Sequence, residues 1–96
     1  MQLMQVVGTV VATHKDPKLN GLKFLIGKEI RLDGSMTETY HVAVDSVGVG
    51  PGEVVMIVRG SSARLTETTD KKPVDTTIIG VVDEIEVGGQ IVWKKE

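Results

Sequence analysis

The 96-residue sequence contains no cysteine, so neither a disulfide framework nor a thiolate metal site can staple a core that is small at this length, and the composition fits a reducing compartment. Aromatic residues are nearly missing as well. Phe24, Tyr40 and Trp93 are the only ones, too few for a platform on which bases would stack. An excess of positive charge is also lacking: 11 Lys and Arg stand against 13 Asp and Glu, for a formal charge of -2. The lysines are scattered apart from Lys71/Lys72 and Lys94/Lys95, which removes the counterion-releasing surface on which nucleic-acid affinity rests. No apolar run approaches the roughly 20 residues of a membrane-crossing helix, and the first residues lack the basic region and hydrophobic block of a signal peptide. These absences lead to the expectation of one soluble, unexported domain over residues 1–96, of a size and kind that often gains stability by self-association.

What the sequence does have is a series of short, valine-rich segments separated by turn signals. Leu3 to Thr13 reads as a strand, Lys15 to Gly21 as a loop, Lys23 to Leu32 and Thr37 to Val44 as a hairpin turning at Asp33-Gly34, and Glu53 to Arg59 as a further strand. Gly48-Val49-Gly50-Pro51-Gly52 is a turn-rich connector, and Ser61 to Leu65 fits a short helical turn with Ser61 or Ser62 as N-cap. Thr66 to Lys72 reads as an exposed loop closed by Pro73, Thr76 to Val87 as one long strand, and Gly88-Gly89 as the turn of a last hairpin. Many short strands with at most one short helical turn predict an all-β fold, a small closed OB-like β-barrel. Three strands are apolar on both faces, among them Val54, Met56, Val58 against Val55, Ile57. A lone barrel keeps its outside polar, so the pattern predicts that a neighbouring subunit, or a loop or helix of the same chain, covers part of it.

Candidate chemistry is sparse. Ser61, His41 and Asp45 supply the residue types of a triad without a nucleophile elbow or an oxyanion loop beside them. His14 and Asp16 lack further metal ligands, and a strand would divide Asp83 from Glu84 and Glu86. Gly48, Gly50 and Gly52 do not have the spacing of a phosphate loop and precede a strand. No catalytic residue, cofactor or metal ion is expected. Asp45 and Asp75, at strand ends, are expected to accept hydrogen bonds from nearby backbone N–H groups. In Gly60-Ser61-Ser62-Ala63-Arg64 the small residues leave the Arg64 guanidinium free to reach a carboxylate or carbonyl with both arms of its fork.

Several ordered segments resemble one family. Gly8-Thr9-Val10-Val11-Ala12-Thr13, Leu22-Lys23-Phe24-Leu25, Val42-Ala43-Val44-Asp45-Ser46-Val47-Gly48-Val49-Gly50, Gly60-Ser61-Ser62-Ala63-Arg64, Pro73-Val74-Asp75 and Ile79-Gly80-Val81-Val82-Asp83 are similar, in that order, to the bacterial microcompartment vertex proteins of the CcmL/EutN family. The resemblance implies a cyclic pentamer at the five-fold vertices of a polyhedral shell in the bacterial cytoplasm, in contact with hexameric and trimeric shell proteins of the same microcompartment, and no binding of nucleic acid or membrane. Sheets of hexameric tiles need pentagonal units to close, and a cyclic ring needs two different patches per subunit. By position, Gly48, Gly50 and Gly52, and Ser61, Ser62 and Arg64, become candidates for contacts between subunits, around a pore or with neighbouring tiles. The alternative from another class is an OB-fold module for single-stranded nucleic acid, opposed by the acidity and the scarce aromatics.

Overall fold

A computed structural model describes all residues from Met1 to Glu96. Seven strands are present: β1 (Gln2–Val10), β2 (Phe24–Ile30), β3 (Met36–Asp45), β4 (Val54–Arg59), β5 (Thr76–Val81), β6 (Glu84–Val87) and β7 (Gln90–Lys94). Two 3-10 turns, Pro17–Leu19 and Gly60–Arg64, are the only helical pieces, one more than expected. The first five strands close into a barrel in the order β1-β2-β3-β5-β4, the OB-like arrangement expected, and β6 and β7 form a separate two-stranded sheet. All barrel pairs are antiparallel except β3 with β5, where Val44 and Asp45 lie beside Thr77 and Ile78. Closure leaves the barrel no free edge for another chain to pair with.

Alternation along the strands sends one set of side chains inward. Met4, Val6, Leu25, Ala43, Val49, Val55, Ile57 and Ile78 make the core, with Met4 lying over Gly27 of β2. The inside is aliphatic throughout, which is how a 96-residue chain with three aromatics fills a five-stranded barrel.

Two strands are shorter than their sequence pattern. β1 ends at Val10 rather than at Thr13 because its partner β2 begins at Phe24, directly opposite Val10. The run from Thr76 to Val87 is broken after Val81. Val82 donates its N–H to the carbonyl of Val54, the first residue of β4, and beyond it no barrel strand remains to pair with. The chain turns at Asp83, whose carbonyl accepts from the Lys95 N–H at 2.8 Å, and β6 pairs with β7 alone.

The two-faced apolar strands resolve into two cases. The outward residues of β4 are covered by the chain itself. Val58 pairs with Thr77 under the Gly60–Arg64 turn, Met56 reaches over Gly80, and Val54 lies beside Trp93 to Lys95 and the Pro51-Gly52 connector. The outer face of β1 to β3 has no such cover: Val7, Tyr40 and Val42 remain exposed.

Candidate functional site

The Gly60–Arg64 turn starts where β4 runs out. Gly60 donates its N–H to the carbonyl of Asp75, so the turn is pinned to the start of β5 by backbone. Neither serine caps it. The N-cap residue is Arg59, with no side-chain hydrogen bond, and Ser61 and Ser62 are exposed. Asp75 likewise contributes its main-chain carbonyl to this contact, not the carboxylate cap expected of it.

What fixes the turn is a group of threonines. The carbonyl of Ala63, a fully buried residue, accepts from the hydroxyls of Thr69 and Thr77, both at 2.7 Å. Thr69 is itself fully buried, and its hydroxyl also meets that of Thr66 at 2.6 Å. The Thr66 to Lys72 segment is therefore not a plain exposed loop. Its Thr69 hydroxyl, joined to that of Thr66, sews it under the turn and, with the Thr77 hydroxyl, satisfies a carbonyl that burial would otherwise penalise.

Immediately after that carbonyl comes Arg64, on the rim of an open basin of about 550 Å³ lined mainly by Asp16, Lys18, Ser61, Arg64, Lys71 and Lys72. Asp16 uses its carboxylate to accept from the Lys18 N–H at 2.8 Å. The chain's three ion pairs, Lys28–Glu38, His41–Glu29 and Lys95–Glu53, all lie elsewhere. The basin thus collects four cations, Lys18, Arg64, Lys71 and Lys72, against the one carboxylate of Asp16, on a chain whose formal charge is negative.

The second candidate, the Gly48 to Gly52 connector, lies at the other end of β4 and is built differently. Asp45 accepts from the N–H groups of Val47, Gly48 and Val49 at 2.8 to 2.9 Å, the capping role expected of it. The Glu53 carboxylate accepts from the Gly50 N–H at 2.8 Å and from the Lys95 ammonium at 2.9 Å. Those two donors, the amide first, hold the Glu53 carboxyl below its usual range, and the same contact with Glu53 raises Lys95. Gly52 is tied to β1 through its N–H to Val6 and its carbonyl to the Gln5 side chain. With Val49 anchored in the core, the loop presents a rigid backbone surface at Gly48 and Gly52. The six candidate residues therefore form two sites at opposite ends of a six-residue strand, not one.

Nothing assembles into a catalytic group. The Asp45 carboxylate is occupied by amides, His41 faces Glu29 at 2.9 Å, and Ser61 opens on the basin. No group of three or more metal-ligating side chains occurs. Aromatics do not gather either: Tyr40 lies under the Lys28 ammonium, Trp93 packs on Gly34, and half-buried Phe24 sits on β2. The nucleic-acid reading is not supported.

Sequence reasoning missed the Ala63 carbonyl with its threonines, the Glu53–Lys95 tether and the Trp93 contact. Only the Thr66-x-x-Thr69 spacing gave any signal, as a hydroxyl turn of this kind.

Comparison with known proteins agrees with this architecture. Residues 1–83 match the family model described as ethanolamine utilisation protein EutN/carboxysome. The carboxysome shell vertex protein CcmL of Nostoc sp. is 40% identical over 97 residues, covering 100% of this chain and 96% of that protein. The bacterial microcompartment shell vertex protein EutN of Salmonella typhimurium is also 40% identical, over 95 residues, covering 99% and 96%. Among solved structures, Gloeobacter violaceus CcmL superimposes with a TM-score of 0.95 at 40% identity, covering 99% of this chain and 98% of that one. GrpN of Rhodospirillum rubrum, a pentameric microcompartment shell protein, gives 0.83 at 37%, covering 91% and 99%. On its family-model match and its full-length likeness to these shell proteins, the chain belongs to the EutN/CcmL family.

Proposed function

We propose that this chain is a structural vertex protein: a single domain that assembles into a cyclic homo-pentamer and caps the five-fold corners of a bacterial microcompartment shell in the cytoplasm. The observation that carries the reading is the whole-chain likeness to shell vertex proteins, together with a pentameric relative of the same fold. The role requires association and no chemistry, and the chain's hydrogen bonds are spent on holding loops rigid. Burial of apolar faces at about 25 cal/mol per Å² would drive ring formation before entropy costs, with polar groups setting register.

Within that reading, the Arg64 basin is the contact for neighbouring hexameric or trimeric tiles. Four cations against one carboxylate in a concave, exposed site suit carboxylates or carbonyl ends presented by another protein. The Gly48 to Gly52 connector, rigid and backbone-lined, suits the ring's inner rim. Equal identity to a CcmL and an EutN supports the vertex role without selecting a carboxysome or a metabolosome.

Shell reconstitution tests the proposal. Co-expression of the hexameric tiles with this chain should give closed polyhedral particles under the electron microscope, and its omission should leave open sheets or tubes. Equal closure with and without the chain would refute the vertex role.

A further inference from the structure

We infer that the Arg64 basin binds a small phosphate-bearing anion, and that such an anion and a neighbouring tile exclude one another there; the exclusion rests on the tile contact proposed above. The charge comes first. Lys18, Arg64, Lys71 and Lys72 surround the basin against the single carboxylate of Asp16, a net of three positive charges. Asp16 does not neutralise them: it takes part in none of the chain's ion pairs, and its Oδ1 accepts from the Lys18 backbone N–H. Elsewhere Lys15, Arg31 and Lys95 each donate a side-chain hydrogen bond within the chain, and none of the four basin cations does. Like charges gathered in one concavity repel, so the arrangement gains from a multivalent counter-ion.

The basin is held in shape before anything enters it. Thr69 donates its hydroxyl to the Ala63 carbonyl at 2.7 Å and accepts the Lys72 N–H at its own carbonyl at 3.0 Å. Arg64 follows Ala63 in the chain, so one buried threonine fixes the backbones that carry Arg64, Lys71 and Lys72. Lys71 is also the only residue other than glycine at a positive φ, 58°. Glycine would sit there without strain. The strain is borne instead by a residue whose charge lines the basin, the pattern of a binding position.

Size and lining define the ligand. About 550 Å³ is the volume of a small-molecule site. Leu65 and Pro73 are its only non-polar members, so the ligand has no large apolar body. Arg64 presents a fork that pairs with two phosphate oxygens, the lysines add point charges, and the exposed Ser61 hydroxyl is a further donor. No aromatic lines the basin, which removes the stacking that a nucleic-acid strand needs. A phosphate and a tile carboxylate both require Arg64. By linkage each then weakens the binding of the other by the same factor.

Isothermal titration calorimetry with inorganic pyrophosphate at fixed ionic strength tests the site. One pyrophosphate per protomer should bind with a Kd below about 1 mM, and Arg64→Ala should weaken it about tenfold. Lys71→Gly suits the backbone and deletes the charge. It should weaken binding about threefold with no fall in melting temperature, a pair of effects that a purely structural Lys71 would not give. Succinate should bind more weakly than pyrophosphate. Non-saturable heats, or an affinity unchanged in both variants, would overturn the anion site; succinate binding as tightly as pyrophosphate would overturn the phosphate assignment. Shell closure without added anion tests the vertex reading by itself. Saturating pyrophosphate should then reduce the yield of closed shells where sodium chloride of the same ionic strength does not. Equal yields in the two would overturn the exclusion and leave the vertex role standing.

Discussion

Removing the two hydroxyls that meet at Ala63 should cost more together than separately. Thr69 and Thr77 both donate to that one carbonyl at 2.7 Å, and valine keeps the branched shape of either side chain while deleting its donor. Each single change leaves the carbonyl one partner, so the loss is that of one net hydrogen bond, about 1 kcal/mol. Thr69→Val is the costlier, because the Thr66 hydroxyl loses its contact with the Thr69 hydroxyl as well and keeps only the Thr69 N–H. In the double variant the carbonyl of a fully buried residue has no partner left, which adds a desolvation penalty of about 1–3 kcal/mol beyond the sum of the singles. For a domain of this size each kcal/mol lowers the melting temperature by about 4–8 °C. The assay is thermal and urea unfolding of the four members of the cycle at one fixed protomer concentration, since assembly raises apparent stability. A double-variant loss equal to the sum of the singles within about 0.5 kcal/mol would refute the shared-acceptor account.

Three further outcomes are expected. Arg64→Ala, which breaks none of the chain's three ion pairs, should change barrel stability by no more than about 0.5 kcal/mol while reducing the yield of closed shells; unchanged shell yield would remove Arg64 from the tile contact. Glu53 has a lowered folded pKa, so its stabilising contribution is present above the usual glutamate value of about 4.3 and is lost as pH falls through the lower folded value. Lys95 is raised, so its share is present below the ordinary lysine range and is lost at alkaline pH above it. Fluorescence of Trp93, the chain's only tryptophan, should follow both ends of that window, and an acid-side change that persists in Glu53→Gln would rule out Glu53 as its cause. Gly34→Ala should both strain a backbone held at φ +87° and evict Trp93, costing about 1–2 kcal/mol for the left-handed conformation and shifting tryptophan emission to the red; unshifted emission would contradict the contact.

The barrel was legible because its strands carry their own punctuation. Asp33-Gly34 and Gly88-Gly89 mark hairpins that form where expected, and the valine-rich runs supply the inward set. Strand ends were less legible, since β1 stops at Val10 and β5 at Val81 only because their partners start at Phe24 and Val54, facts of pairing that no local pattern contains. The doubled apolar faces have two different origins, which the strand pattern alone does not separate. On β4 the chain's own turn and tail provide the cover, whereas Tyr40 and Val42 stay open. Asp45 was legible as a cap because it stands at a strand end before a run of N–H groups. The Ala63 carbonyl was not, because its donors come from six and fourteen residues downstream and threonines in a polar stretch look solvent-facing until the fold buries them.

The vertex account rests on five copies closing into a ring. Native mass spectrometry of the unmodified protein at micromolar concentration measures that directly. The account predicts a dominant species of five copies of the 10.3 kDa chain, about 52 kDa. A stable monomer, or a closed assembly of any other copy number, would contradict it.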